Sequence, residues 1–135
     1  MNINNLASWR DNLPVTYPYQ FRQNASFAFG DGWLPVFAEL CERIDRLLTE
    51  AQKLDFFWTD IKEKHGFLSL SYAAPPEAES AIDELIEVAE DEALETCTVC
   101  GEPGEMRNGP SPAVLCDQHA GSRTALDDDQ ESYRY

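Results

Sequence analysis

Basic residues are scarce in this chain. Of its 135 residues only 10 are Lys or Arg, against 25 Asp or Glu, which sets the formal charge at −15 and the sequence pI near 4.2. So acidic a surface repels nucleic acid and anionic lipid, which proteins bind through clustered Lys and Arg. Long apolar runs are also lacking: none approaches the roughly 20 residues that a membrane span requires. The opening MNINNLASWRDNLP has neither the basic stretch nor the apolar stretch of a secretory signal. A cytoplasmic protein is therefore expected, with no membrane partner and no direct contact to nucleic acid.

Catalytic signatures are missing as well. There is no phosphate-cradling Gly-rich loop of Walker type and no G-x-S-x-G elbow. Histidine occurs twice. His65, between Lys62-Glu63-Lys64 and Gly66, has no recognisable nucleophile or acid–base partner beside it, and a loop histidine of this kind reads as structural or exposed. The expectation is a protein that is not an enzyme and has no catalytic residues.

Cysteine is rare, but three of the four are grouped. Cys97, Cys100, Cys116 and His119 form the string C-x2-C-x15-C-x2-H. In a reducing compartment such a group reads as metal ligands rather than disulfides. Each half supplies two ligands three residues apart, which lets one turn present both to one ion. The 15 residues between the halves allow a hairpin to return the chain to the site. Gly101 suits the positive φ of a tight knuckle, and Ala113-Val114-Leu115 can form a strand leading into Cys116. Four protein ligands close a zinc coordination shell, whereas catalytic zinc keeps one position for water. The expected cofactor is one structural Zn²⁺, in a treble-clef-like finger at residues 96–121. Cys41, distant from this group and beside an apolar stripe, reads as a small buried hydrophobe.

The rest of the chain carries a real core, with 43% hydrophobic and 11% aromatic residues. Residues 1–29 read as an aromatic N-terminal arm, in which Tyr17, Tyr19 and Phe21 alternate and Phe27 and Phe29 repeat the period of two. Pro14 and Pro18 confine any strand there to an edge. The arm either packs over the core or offers Tyr17, Tyr19 and Phe21 to a partner.

Residues 30–95 read as an α+β core. Asp31-Gly32-Trp33 opens a long helix, with Trp33, Phe37, Leu40, Ile44, Leu47, Leu48 and Ala51 at helical spacing. Leu54 to Ile61 and Phe67 to Ala73 read as two strands of a small antiparallel hairpin or sheet, joined by a loop at Lys62 to Gly66. Pro75-Pro76 ends the sheet and begins a second helix reaching about Glu95, with Ile82, Leu85, Ile86, Ala89 and Ala93 inward. Residues 122–135, with Asp127-Asp128-Asp129, read as an acidic disordered tail.

The second helix is the oddity. From Glu77 to Glu95 there are nine acidic residues and no Lys or Arg, and Asp83, Glu87, Asp91 and Glu95 stand in one i,i+4 row. Each like-charge pair costs a few tenths of a kcal/mol, about 0.2–0.5, and acids near a helix C-terminus oppose its dipole. Local stability does not account for the row. It is either a solvated face or an anionic surface for a cellular or host protein with a basic surface. Nineteen helical residues span about 28 Å, so the nine acids fall about one per 3 Å. Duplex DNA carries one charge per about 1.7 Å, which makes the helix alone a sparse imitation.

The order of these features resembles a family of short phage and prophage zinc-finger proteins. The resemblance covers about residues 30–120. It rests on Gly30-Asp31-Gly32-Trp33, Leu40-Cys41 with Ile44, Ile61-Lys62-Glu63-Lys64-His65-Gly66, Cys97-x-x-Cys100-Gly101-x-x-Gly104, and Leu115-Cys116-x-x-His119. The family's hairpin reads Lys-Glu-Lys-Phe-Gly, from which His65 departs. The resemblance implies the four zinc ligands and a phage-type accessory protein, of a class that often acts by binding host proteins. Together with the charge row and the lack of catalytic groups, the resemblance leads to the expectation of an inhibitor or modulator of a host defence or nucleic-acid-handling complex. It brings no activity with it. Two other readings are a small nucleic-acid-binding zinc-finger regulator and a small hydrolase or nuclease. Arg107 and Arg123, the basic residues in or just beyond the finger, are too few for a nucleic-acid footprint.

Overall fold

The computed structural model describes residues 8–124; the expected acidic tail from 125 onward and the first seven residues of the arm lie outside the described residues. The architecture is α+β. Among the described residues there are two sheets, one of three strands in the core and one of two strands in the C-terminal region.

The arm is not extended. Its first part is helix α1 (Ser8–Thr16), followed by a 3-10 turn at Pro18–Phe21. Pro14 lies inside α1 and removes one backbone donor, so tertiary contacts must hold this helix. They are visible: Leu13 is buried, and Arg10 reaches across to the chain that follows. Its guanidinium donates to Asp31 Oδ1 at 2.6 Å, to the Phe27 carbonyl at 2.7 Å and to the Phe29 carbonyl. The period-two reading does hold at Phe27 to Phe29. There β1 (Phe27–Ala28) joins the core sheet, with Phe27 half-buried, Ala28 exposed and Phe29 buried.

The first long helix is interrupted. A 3-10 turn at Asp31–Trp33 leads into α2 (Leu34–Leu47), with Pro35 tolerated in its first turn. Leu48 is extended, and a separate short helix α3 (Glu50–Lys53) follows. Thr49 and Gln52 form a capping box, which restarts the helix at a new angle. The apolar stripe therefore stops early. Trp33, Phe37, Leu40, Ile44 and Leu48 are buried, whereas Leu47 and Ala51 are exposed. Cys41 is fully buried, and burial pushes its thiol up.

Strands β2 (Phe57–Lys64) and β3 (Phe67–Ala73) form the antiparallel hairpin. The expected antiparallel sheet is in fact mixed, because β1 pairs with β2 in parallel, giving the order β1-β2-β3. The register shifts between Trp58 and Asp60, so that Trp58 opposes Tyr72 and Asp60 opposes Ser71. One extra residue reverses the alternation of a strand. That is why Trp58 and Ile61, three apart, are both buried. The hairpin loop is tighter than the sequence suggested. Lys64 pairs with Phe67, leaving His65 and Gly66 as a two-residue turn with φ of 54° and 89°. Positive φ at both positions is the mark of a type I′ turn, and it gives His65 a backbone role.

A 3-10 turn at Pro76–Ala78 starts the last core element, α4 (Glu79–Ala93), which packs on α2 and β3. Ile82, Ile86, Ala89 and Ala93 are buried and Leu85 is half-buried. An aromatic cluster centres the core, with Phe37 against Trp58 at 5.2 Å and Phe56 against Trp58 at 5.3 Å between ring centroids. Buried Gln20 is fully used there: its amide donates to the Cys41 carbonyl at 3.0 Å and its oxygen accepts from Trp58 Nε1 at 3.1 Å.

Candidate metal centre

After α4 the chain makes a knuckle at Cys97 to Gly101 and then a hairpin of β4 (Glu105–Arg107) and β5 (Ala113–Leu115). It ends the described region in a single helical turn, α5 (Asp117–Ala120). Two ligand candidates come from the knuckle, Cys116 caps α5, and His119 lies within it. Gly101 has φ of 83° and its amide donates to the Cys97 carbonyl at 2.9 Å, which closes the knuckle.

The three thiols and the imidazole converge. One ligand atom from each lies within 4.8 Å of every other. Cys97 Sγ is 3.7 Å from His119 Nδ1, Cys100 Sγ is 3.7 Å from Cys116 Sγ, and Cys116 Sγ is 3.2 Å from His119 Nδ1. Tetrahedral ligands around zinc, with bonds of about 2.3 Å to sulfur and about 2.0 Å to nitrogen, stand about 3.5–3.8 Å apart. Two of these three separations fall in that range and the third is shorter, and the soft donor set suits such an ion. Among the described residues this is the one group of His, Cys, Asp and Glu side chains gathered to hold a metal.

Electrostatics point the same way. Burial pushes the Cys97 thiol up, but backbone N–H groups of Cys116, Cys100 and Val99 outweigh it and bring the thiol down to about 6. Cys100 is raised to about 11, by burial first and then by its crowding against the Cys116 and Cys97 sulfurs. One thiolate thus forms readily, and the next resists. A bound dication would let all three cysteines ionise together.

Around the centre the finger is fastened to the core. Gly32 N donates to the Thr98 carbonyl at 2.8 Å, and Trp33 Nε1 donates to the Thr96 carbonyl at 2.8 Å. At the other end, the β2–β3 turn meets the finger hairpin: a Cβ at Gly66 would lie 2.5 Å from Met106 Sδ. The finger also closes the end of α4, which has no basic residue in its last turn. Thr96 Oγ1 donates to the Glu92 carbonyl at 2.6 Å, and Gly104 N donates to the Glu95 carbonyl at 2.9 Å. These contacts add a second role to Gly32 and Trp33, expected only to open the first helix, and to Gly66, expected only as part of the hairpin loop.

The acidic row is on the surface as expected. Asp83, Glu87, Asp91 and Glu95 are all exposed. Asp83 accepts a hydrogen bond from the Tyr72 hydroxyl at 2.5 Å. Among the described residues no acid of α4 forms an ion pair, whereas Arg10, Arg43, Arg46, Lys53, Lys62 and Arg107 are each paired with acids elsewhere. Burial, and then the charges of Asp91, Glu87 and Asp83, hold the Glu90 carboxyl above its ordinary value.

A carboxyl raised in the folded state makes ionisation oppose folding. The penalty is present at neutral pH and disappears as pH falls below the ordinary Glu value of about 4.3. Glu90→Gln is therefore expected to stabilise the protein near pH 7 by a few tenths of a kcal/mol, about 0.2–0.5. Paired thermal melts should show that gain closing toward about pH 4; an equal gain at both pH values would exclude charge repulsion as its cause.

The aromatic strip is not assembled as a strip. Phe21 is buried in the core, Tyr17 and Tyr19 are half-buried, and the Tyr19 hydroxyl donates to Asp45 at 2.7 Å. The 3-10 turn at Pro18–Phe21 replaces the alternation that would have aligned the three rings. Phe21 is thereby withdrawn from any docking surface. His65 is exposed at its turn, and Arg107 is buried, with Nε donating to the Leu115 carbonyl at 3.0 Å and a second nitrogen to Asp117 at 2.8 Å. No described helix is long and apolar enough to cross a membrane. Comparison of the chain with family models, with curated proteins and with solved structures finds no significant match.

Proposed function

We propose a non-enzymatic interaction protein that presents the acidic face of α4 to a protein with a basic surface, on a scaffold held by one structural zinc ion. The observation that carries this reading is the unpaired state of the acids. Six of the chain's ten Lys and Arg residues pair with acids elsewhere, while all seven carboxylates between Glu79 and Ala93 lack an ion-pair partner among the described residues. Local repulsion of this kind is retained at a cost, and a basic partner would offset it. In keeping with the phage-type resemblance, the target is a host defence or nucleic-acid-handling complex, whose DNA-binding groove the acids would occupy.

The zinc reading follows from the donor set. Three thiolates and one imidazole suit zinc, and four protein ligands leave no position for a catalytic water. The order of knuckle, hairpin and helical turn, with two candidate ligands on the first and two at the last, supports the treble-clef-like reading. Zinc in such a site supplies stability, and the residues around it do the positioning: Gly104 and Thr96 cap α4, and Gly32 and Trp33 hold the knuckle. The nucleic-acid-binding alternative has little to stand on, since Arg107 is buried and committed to Leu115 and Asp117.

Glu87→Lys combined with Asp91→Lys should reduce capture of the partner from host lysate at least tenfold, as read by affinity capture with mass spectrometry. Undiminished capture by the folded variant would overturn the acidic-face reading. A mobility-shift titration with duplex DNA at low salt should show no complex; a shift would favour the nucleic-acid alternative.

A further inference from the structure

Two helices, α2 and α4, pack side by side and leave a shallow groove of about 530 Å³ on their outer face. Its floor is apolar. Leu47 is 40% and Val88 42% exposed, and Leu85 between them is half-buried. Its two rims carry opposite charge. Arg43 and Arg46 stand on the α2 side, and Glu84 stands on the α4 side. Asp91 extends that acidic rim, because residues 84 and 91 lie one turn before and after Val88 on the same helix. Each arginine holds the carboxylate one turn back, Glu39 or Glu42, through a single guanidinium nitrogen, so further N–H donors point outward from the pair. Glu84 and Asp91 have no ion-pair partner among the described residues.

A groove with a basic rim and an acidic rim is complementary to itself. Rotating a second copy by half a turn about an axis along the groove places its α2 over the first copy's α4. Arg43 and Arg46 of one copy then face Glu84 and Asp91 of the other, twice over, around a shared apolar strip of Leu47, Leu85 and Val88. We propose that this face is a two-fold docking surface for a second copy of the chain. Two copies of charge −15 repel at long range, but at about 0.15 M ionic strength the screening length is about 8 Å. Contacts between the rims act inside that distance, so local pairing outlasts the net repulsion. Two helices about 22 Å long offer a face at the small end of stable interfaces, near or below about 800 Å² per copy. The dimer is accordingly a micromolar one. Asp91 belongs to both this rim and the acidic row, whereas Glu84, Leu47 and Val88 line the groove and lie outside that row, so variants at those three positions separate self-association from capture of a basic partner.

Sedimentation equilibrium of the metal-loaded full chain tests it. The mass should rise from 15.3 kDa toward twice that value as concentration passes through about 10–300 μM. Val88→Asp, and separately Leu47→Asp, should hold the folded chain monomeric throughout, while Val15→Asp, on the exposed face of α1, should not. The charge variants carry the decisive arm. Arg43→Glu/Arg46→Glu alone and Glu84→Arg/Asp91→Arg alone should each associate at least tenfold more weakly, and an equimolar mixture of the two should recover parental association. A chain that stays monomeric at every concentration, or a dimer indifferent to Val88→Asp, or a mixture no stronger than its components, would overturn the proposal.

Discussion

Chelating the metal, or replacing Cys97 with serine, should unfold residues 96–121 and lower the stability of the whole domain. Structural zinc sites contribute on the order of 10 kcal/mol of apparent binding free energy coupled to folding, against about 5–15 kcal/mol for an entire domain. The effect reaches beyond the finger because the finger covers core groups. Trp33 is fully buried, and its indole N–H is satisfied by the Thr96 carbonyl. The last carbonyls of α4 are closed by Thr96 and Gly104. Without the knuckle, Trp33 loses cover and the acidic helix frays from its C-terminal end, where its own charges already oppose the dipole.

The expected readouts are a loss of far-ultraviolet ellipticity, a lower melting temperature and a red shift of tryptophan emission. The shift should be partial, since Trp58 sits in the aromatic cluster of the core and its indole N–H donates to Gln20 and not to the finger. Acid should reproduce the effect. Metal-bound cysteines are deprotonated, so the folded, loaded state holds fewer protons than the unfolded chain, and its stability falls as pH falls. Unchanged ellipticity and melting after exhaustive chelation, with metal loss verified by mass spectrometry, would rule out a structural role for the site.

The gathering of Cys97, Cys100, Cys116 and His119 and the main core elements were legible because their signals are local. Cysteine pairs at a spacing of three, an apolar stripe at 3.6 and alternation at two each fit within a short window. What misled was local signal overruled by distant contacts. Tyr17, Tyr19 and Phe21 alternate like a strand, yet a 3-10 turn forms there. Gln20 is drawn inward to Cys41 and Trp58, and Arg10 anchors the preceding helix to Phe27, Phe29 and Asp31. The bulge beside Thr59 left Trp58 and Ile61 out of phase with a simple strand. The break before α3 had a local mark, the Thr49–Gln52 capping box, but the apolar stripe ran across it and masked the restart. Contacts between the core and the finger had no local mark at all. They join residues distant in the chain, such as Trp33 and Thr96, which are 63 positions apart.

Gly32→Ala tests those contacts directly and should be among the most damaging single-methyl changes in the chain. An added Cβ would lie 2.1 Å from the Cys97 carbonyl oxygen, 2.6 Å from Gly101 N and 2.7 Å from the Thr98 carbonyl carbon. All three are backbone atoms of the knuckle, so no side chain can rotate away to make room. Either the 3-10 turn at Asp31–Trp33 or the knuckle has to move. Movement of the turn strains the bonds from Gly32 N to Thr98 and from Trp33 Nε1 to Thr96, each worth about 1 kcal/mol. Overpacking adds about 1–3 kcal/mol. A loss of about 3 kcal/mol corresponds to roughly 10 °C in melting temperature for a domain of this size. Movement of the knuckle instead displaces Cys97 and Cys100 from Cys116 and His119 and weakens the metal site. The same substitution should therefore lower both the melting temperature of the loaded protein and its affinity for zinc in a chelator competition. Val99→Ala, in the same knuckle but 49% exposed, should change neither appreciably. A finger that merely hung from the core would give a different pattern, with a lower melting temperature and an unaltered zinc affinity. Free energy shared between two sites is reciprocal, so if zinc stabilises the core through Gly32 and Trp33, damage at Gly32 must be felt at the zinc.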